Sequence, residues 1–172
     1  MDRADFAPFV TARSDALVRT AYLLTGSWQS AEDLLQVALA KSWRAWPRLS
    51  DQPEAYVRKV LLNTYLSWRR RRWHDEQPVA ELPDRPAPDD VSSAADRAVL
   101  WDALRRLPPR QRAVVVLRYF EDRSEAETAE LLGVSIGTVK SQHSKALAAL
   151  RVDPGLVPEP MKGVATGVLD DG

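Results

Sequence analysis

The sequence predicts an all-α protein, two small helical domains joined by a flexible acidic linker. Three observations predict it. Apolar residues recur at helical spacing in one segment after another. No run alternates β-branched residues as a strand would. Residues 74–93, "HDEQPVAELPDRPAPDDVSS", combine four Pro with many acids and little apolar periodicity, the composition of a solvated linker. The domains are expected at 1–73 and 94–152. The tail, residues 153–172, is Pro/Gly-rich and aperiodic and reads as disordered.

In chain order, a first helix is expected over about residues 6–24, ending near Gly26. In "SAEDLLQVALAKSWRAW" Ser30 is expected to cap a second helix, with Glu32 and Asp33 in its first turn. Leu35, Ala38, Leu39, Trp43 and Trp46 form its apolar stripe, and Pro47 stops it. Pro53 then opens a third helix at a position that tolerates proline. Beyond the linker, "SAADRAVLWDALRRL" is amphipathic and ends at Pro108-Pro109. "PRQRAVVVLRYF" is read as one more helix, its valines overriding their β preference through context.

The last part, "SEAETAELLGVSIGTVKSQHSKALAALR", has helix-turn-helix spacing. Ser124 with Glu127 makes a capping box, and Ala129 is small where two helices must approach closely. Gly133 sits where a left-handed backbone is needed, Ser135 caps the next helix, and Val139 packs it back. That helix turns Val139, Ala146, Leu147 and Leu150 inward and Thr138, Lys140, Ser141, Gln142, Ser144 and Lys145 outward. The stretch 134–151 holds no acid. A plain helical hairpin with a solvated face would need none of this agreement, and a major-groove reader needs all of it. His143 falls on the packing side and reads as a partly buried structural histidine.

The third helix raises a different question. Residues 56–73, "YVRKVLLNTYLSWRRRRW", carry six bases and no acid, although 24 Lys and Arg balance 24 Asp and Glu over the whole chain. At 100° per residue, Val57, Val60, Leu61, Thr64 and Trp68 form a core stripe. Tyr56, Lys59, Asn63, Ser67 and Arg70 form a second, well separated stripe. The second mixes an aromatic, an amide, a hydroxyl and cations, the groups that stack and hydrogen-bond unpaired bases. Arg69 through Arg72 would add a sequence-independent hold on phosphates. Arg runs also suit helix C-termini through the dipole, so these residues alone leave both readings open.

Other classes find little support. There is no Cys and there are only two His, so neither a disulfide framework nor a Cys-based zinc site is available, and no metal or cofactor is expected. No nucleophile–base pair or phosphate loop suggests an enzyme or a small-molecule substrate. No apolar run approaches the ~20 residues of a membrane helix, and residues 1–10 lack a signal-peptide stretch. A cytoplasmic protein without membrane insertion is expected.

Taken together, "SAEDLLQVALAKSWRAW", "AYVRKVLLNTYLSWRRRRW" and "LPPRQRAVVVLRYFEDRSEAETAELLGVSIGTVKSQHSKALAALR" resemble bacterial sigma factors of the extracytoplasmic-function (ECF) type. The likeness is strongest to the SigE-family branch of actinobacteria and covers about residues 5–151. It implies that 1–73 is sigma region 2 and 94–152 is sigma region 4. It implies that the second helix docks on the clamp coiled coil of RNA polymerase, with Asp33, Gln36, Val37 and Ala40 off its core stripe. Residues 46–53 and the third helix correspond to the element that recognises and melts the −10 box. Asn63 falls on that element's asparagine and Tyr56 on its aromatic. Region 4 would read the −35 box and meet the polymerase flap, and the linker would run toward the RNA-exit path. Implied partners are core polymerase, promoter DNA and an anti-sigma factor. Family members often carry Arg at the position of Gln142 and an apolar residue at that of His143, so the −35 letters do not follow from the resemblance. The alternative is a helix-turn-helix regulator acting on duplex DNA without core polymerase.

Overall fold

A computed structural model of the chain describes residues 1–49, 52–72 and 94–151, and for residues 72, 94–97, 100 and 151 the backbone alone. The expected linker at 74–93 and tail at 153–172 lie outside the described residues, as do Trp73 and His74. Among the described residues every regular element is helical. Seven α-helices follow one another: α1 (Phe6–Thr25), α2 (Trp28–Ala45), α3 (Pro53–Arg72), α4 (Ala94–Arg106), α5 (Pro109–Val115), α6 (Glu125–Leu132) and α7 (Ile136–Arg151). They fall into two compact units, α1–α3 and α4–α7.

In the first unit α2 packs against both α1 and α3. A short 3₁₀ turn, Arg3–Asp5, precedes α1 and is closed by a capping box between Asp2 and Asp5. Gly26 ends α1 in the left-handed region at φ 81°, its N–H donating to the Tyr22 carbonyl at 2.8 Å. The chain reverses at once. Ser27, not Ser30, caps α2: its backbone is extended, and its hydroxyl accepts from the Ser30 N–H at 3.3 Å. The physical reason is the glycine, which leaves Ser27 just outside the new helix. Trp28, stacked on Tyr22 with centroids 4.2 Å apart, closes the corner.

Because α2 has neighbours on two sides, its buried face is broader than the expected stripe. Ala31, Leu34, Leu35, Ala38 and Ser42 are buried, while Leu39 and Trp43 are only half-buried. Trp46 follows in a 3₁₀ turn, fully buried between Phe6 and Phe9 at centroid distances of 4.8 and 5.0 Å. Its Nε1–H donates to the Asp2 carbonyl at 3.0 Å, tying the chain start to the end of α2.

On α3, Val57, Leu61 and Thr64 are buried as the periodicity demands, with Val60 and Trp68 half-buried at the edge. Leu62, Tyr65 and Arg58 are buried too. Arg58 corrects the charge reading. It is only 8% exposed, and so leaves the set of cations that α3 presents. Its Nε and Nη2 donate to Glu54 Oε1 at 3.2 and 3.0 Å, and Nη1 reaches the Thr20 hydroxyl at 3.5 Å. Arg13 pairs with the other Glu54 oxygen at 3.2 Å. Lys41 spans α2 and α3 by donating to the Thr64 hydroxyl at 3.1 Å. A charge that enters the interior needs such partners to offset its lost hydration.

In the second unit the Arg112 guanidinium of α5 lies 5.6 Å from the Trp101 ring of α4. Ala113, Val114, Val115, Val116 and Leu117 are all buried. The sequence leads one to expect a regular α-helix throughout this segment. Instead its α-helical part stops at Val115, and Val116–Phe120 widen into a π turn. The Glu121 N–H accordingly donates five residues back, to the Val116 carbonyl at 3.2 Å. Within this turn Val116 and Leu117 are buried and Tyr119 is half-buried.

Candidate nucleic-acid interface

The helix-turn-helix is assembled by local rules. Ser124 Oγ accepts from the Glu127 N–H at 3.1 Å, and Glu127 Oε2 accepts from the Ser124 N–H at 2.8 Å. The bonds from the Ser124 amide and hydroxyl hold the Glu127 carboxyl below the usual carboxylate range, aided by Arg123. Ala129 is buried in the body of α6. Gly133 makes the turn at φ 64°, and a Cβ built there would meet nothing within 4 Å. The demand at Gly133 is therefore backbone conformation, not space. Gly133→Ala is expected to lower stability by about 1 kcal/mol in urea unfolding, and Gly133→Asn by less.

Ser135 Oγ accepts from the Thr138 N–H at 3.1 Å and shares a 2.9 Å hydrogen bond with the Thr138 hydroxyl. Thr138 is thereby committed to the cap, with only part of its side chain facing outward. Val139, Ala146, Leu147 and Leu150 are buried. Lys140, Ser141, Ser144 and Lys145 are exposed on the outer side of α7, with Gln142 half-buried beside them. Lys140 Nζ stands 3.9 Å from Glu125 Oε2 at the start of α6. His143 is half-buried, its Nε2 2.6 Å from the Tyr119 hydroxyl. Burial, then the nearby Arg118, lowers its pKa below the ordinary imidazole value, while Glu125 opposes. Burial raises that of Tyr119, against a smaller lowering by Arg118.

On α3 the second stripe keeps its solvent access. Lys59, Asn63 and Arg70 are exposed, and Tyr56 and Ser67 are half-buried. Arg69 and Arg71 are exposed next to them. On α2, Asp33, Gln36 and Ala40 are exposed and Val37 is half-buried, on the side of the helix away from Leu34 and Ala38. The first unit thus carries an aromatic–amide–cation stripe and a second mixed face, and the other unit an acid-free α7 face.

Three residues of these surroundings escape a reading of the sequence. Arg58 offers only Glu54 four residues earlier as a signal. Tyr119 meets His143 of α7 from 24 residues away, inside a π turn that the periodicity does not announce. Glu125 meets Lys140 only once α6 and α7 are crossed.

Two family profiles match the chain: sigma-70 region 2 over residues 9–74 and sigma-70 region 4 over residues 97–150. The RNA polymerase sigma-E factor of Streptomyces coelicolor is 46% identical over 149 residues, which span 86% of this chain and 84% of that protein. The chain belongs to the sigma-70 family. The ECF RNA polymerase sigma factor SigL of Mycobacterium tuberculosis is 32% identical over 143 residues, 79% of this chain and 81% of that protein. Among solved structures, the sigma factor RpoE of Bartonella quintana, crystallised with the anti-sigma factor NepR, superposes with a TM-score of 0.69 at 27% identity. That match covers 87% of this chain and 98% of RpoE. This sigma factor is of the ECF type, with region 2 and region 4 in the order read from the sequence. It directs transcription initiation with core RNA polymerase, region 2 serving the −10 element and region 4 the −35 element.

Proposed function

We propose that the α3 stripe of Tyr56, Lys59, Asn63, Ser67 and Arg70 captures unpaired −10 bases, and that the α7 face reads the −35 duplex. The observation that carries this is the exposure of both faces, each on its own unit and each with the chemistry its strand state requires. On α3, Tyr56 supplies a stacking surface, Asn63 donors and acceptors for a base edge, and Lys59 and Arg70 phosphate contacts. On α7, Lys140, Ser141, Gln142, Ser144 and Lys145 supply side chains for base edges and phosphates in the major groove, with Thr138 supporting. Both steps are binding and discrimination; the polymerase performs the chemistry.

Asp33, Gln36, Val37 and Ala40 on α2 form the face for the polymerase clamp, and region 4 meets the flap. Region 2 extends over 1–73 and region 4 over 94–152, with 74–93 connecting them. Action with core polymerase implies the cytoplasm as the site of action; separately, among the described residues no helix is long and apolar enough to cross a membrane. The crystallised RpoE–NepR pair supports an anti-sigma factor as a further partner; such a factor would act by covering the polymerase-docking faces.

Co-purification with core polymerase followed by in-vitro transcription tests the assignment. Specific duplex binding with no association with core polymerase would instead describe a free-standing helix-turn-helix regulator. Within region 4, Lys140→Ala and Lys145→Ala separate two kinds of contact. A base contact relaxes selectivity at one −35 position by ~1–3 kcal/mol. A phosphate contact weakens all sequences and lowers the salt slope by about one. Lys145 is expected to behave as a phosphate contact. Lys140, already near Glu125, is expected to show the smaller salt effect. Unchanged selection and salt dependence in both variants would exclude α7 as the reader.

A further inference from the structure

We propose that Tyr119 and His143 are positioning residues for −35 reading, their hydrogen bond setting the roll of α7 and hence which bases Gln142 and Ser144 face. This rests on α7 being the −35 reader. Besides this bond, α7 has the partly exposed Lys140–Glu125 pair, 3.9 Å apart, and buries Val139, Ala146, Leu147 and Leu150 in apolar contacts. Apolar contacts tolerate a small rotation about the helix axis, because dispersion and burial have no fixed direction. A hydrogen bond does have direction. At 2.6 Å, with the two rings stacked at a centroid distance of 5.6 Å and 29° apart, it constrains both distance and angle.

Tyr119 lies in the π turn Val116–Phe120, a rare geometry that often marks a functional position. The turn is held at its far side, where Arg118 Nη1 donates to the Arg123 carbonyl and the Arg123 N–H donates to the Leu117 carbonyl at 2.9 Å. His143 in turn is flanked on α7 by Gln142 and Ser144, both on the proposed reading side. A rotation that moves one moves the others.

Burial favours the neutral form of His143, and the charges around it modulate this. Arg118 in the π turn disfavours a second cation at His143. Glu125 on α6 favours one, but stands 3.9 Å from Lys140. With His143 neutral, Nε2 accepts from the Tyr119 hydroxyl and Nδ1 carries the proton, a tautomer assigned from the bond itself. Protonation would put a donor on Nε2, and the Tyr119 hydroxyl would have to turn from donor to acceptor beside a new cation. Acid should therefore loosen the alignment.

The test is selection from promoters randomised in the −35 box, using holoenzyme assembled with the full chain. Tyr119→Phe keeps the ring and removes the bond. It is expected to lose about tenfold of the discrimination at one or two −35 positions, with the salt slope unchanged. Wild type is expected to lose selectivity in the same positions as pH falls from 8 to 5. His143→Gln, whose amide oxygen accepts from Tyr119 without titrating, should retain selectivity and be flat with pH. His143→Leu should resemble Tyr119→Phe. A purely structural role predicts instead a lower melting temperature and an equal loss on all sequences, and either that result or wild-type base preferences in Tyr119→Phe overturns the proposal. Lys145→Ala in the same assay separates the two failures. If it has no effect, α7 is not the reader; if it weakens all sequences while Tyr119→Phe changes nothing, only the positioning role fails.

Discussion

Alanine at Tyr56 or Asn63 is expected to leave polymerase association and closed-complex formation intact while cutting transcription from duplex promoters about tenfold. Both residues share one stripe of α3 with Lys59, Ser67 and Arg70, away from the buried Val57, Leu61 and Thr64. Stacking an unpaired base on an aromatic ring contributes ~1–3 kcal/mol, comparable with the few kcal/mol that unstacking a base costs. The balance of strand opening is thus close enough for one side chain to tip it. Tyr56 is half-buried, so part of its ring is fixed by packing and part is offered for stacking. Tyr56→Phe should accordingly stay near wild type, because the ring face remains. Templates already unpaired across the −10 box should restore much of the output of both alanine variants. Permanganate reactivity of the −10 thymines reports the opening directly. Normal opening rates in both variants would reduce the stripe to a solvated helix face.

A larger effect on stability is expected at a residue outside the proposed base-binding stripe. Glu54→Ala should destabilise the first unit by about 3 kcal/mol, because it removes the carboxylate that accepts twice from the buried Arg58 guanidinium. Glu54 also pairs with Arg13, but that arginine side chain is 54% exposed, and its share of the cost is small. Arg58→Met, which replaces the buried cation by an apolar chain of similar length, should cost less than Glu54→Ala. Urea unfolding of both single variants and the double variant measures this. The double variant should lie close to Arg58→Met, since the carboxylate matters chiefly while the guanidinium is buried. A Glu54→Ala cost below that of Arg58→Met would show that burial of Arg58 does not rely on this pair. The order of effects bears on function, because α3 carries Tyr56 and Lys59 on either side of Val57 and Arg58. A loosened α3 start should also impair promoter opening, in parallel with its loss of stability.

The turn chemistry was legible because it is local. Gly26 and Gly133 occupy left-handed positions that other residues reach only at a cost, and Ser124 with Glu127 caps α6 within four residues. Even so, the cap of α2 moved from Ser30 to Ser27, since which of two nearby serines stands outside the helix depends on where Gly26 ends α1. The outward direction of the two proposed reading faces was legible for a related reason. A side chain's direction on a helix follows from its position at 100° per residue, so the separation of Tyr56, Lys59, Asn63, Ser67 and Arg70 from the core needs no knowledge of neighbours.

By itself, then, the sequence determined the helical class, the turns and the outward chemistry of α3 and α7, all set by interactions within a few residues. Only the tertiary structure decided that Arg58 is a buried, paired cation, not one more exposed base of α3. It alone widened the end of α5 into a π turn and brought Tyr119 to His143, 24 residues away, and Glu125 to Lys140. These outcomes depend on how helices cross. A charge is buried or exposed, and a hydroxyl finds its acceptor, according to what the partner helix places opposite it, and periodicity along one helix carries no record of the other.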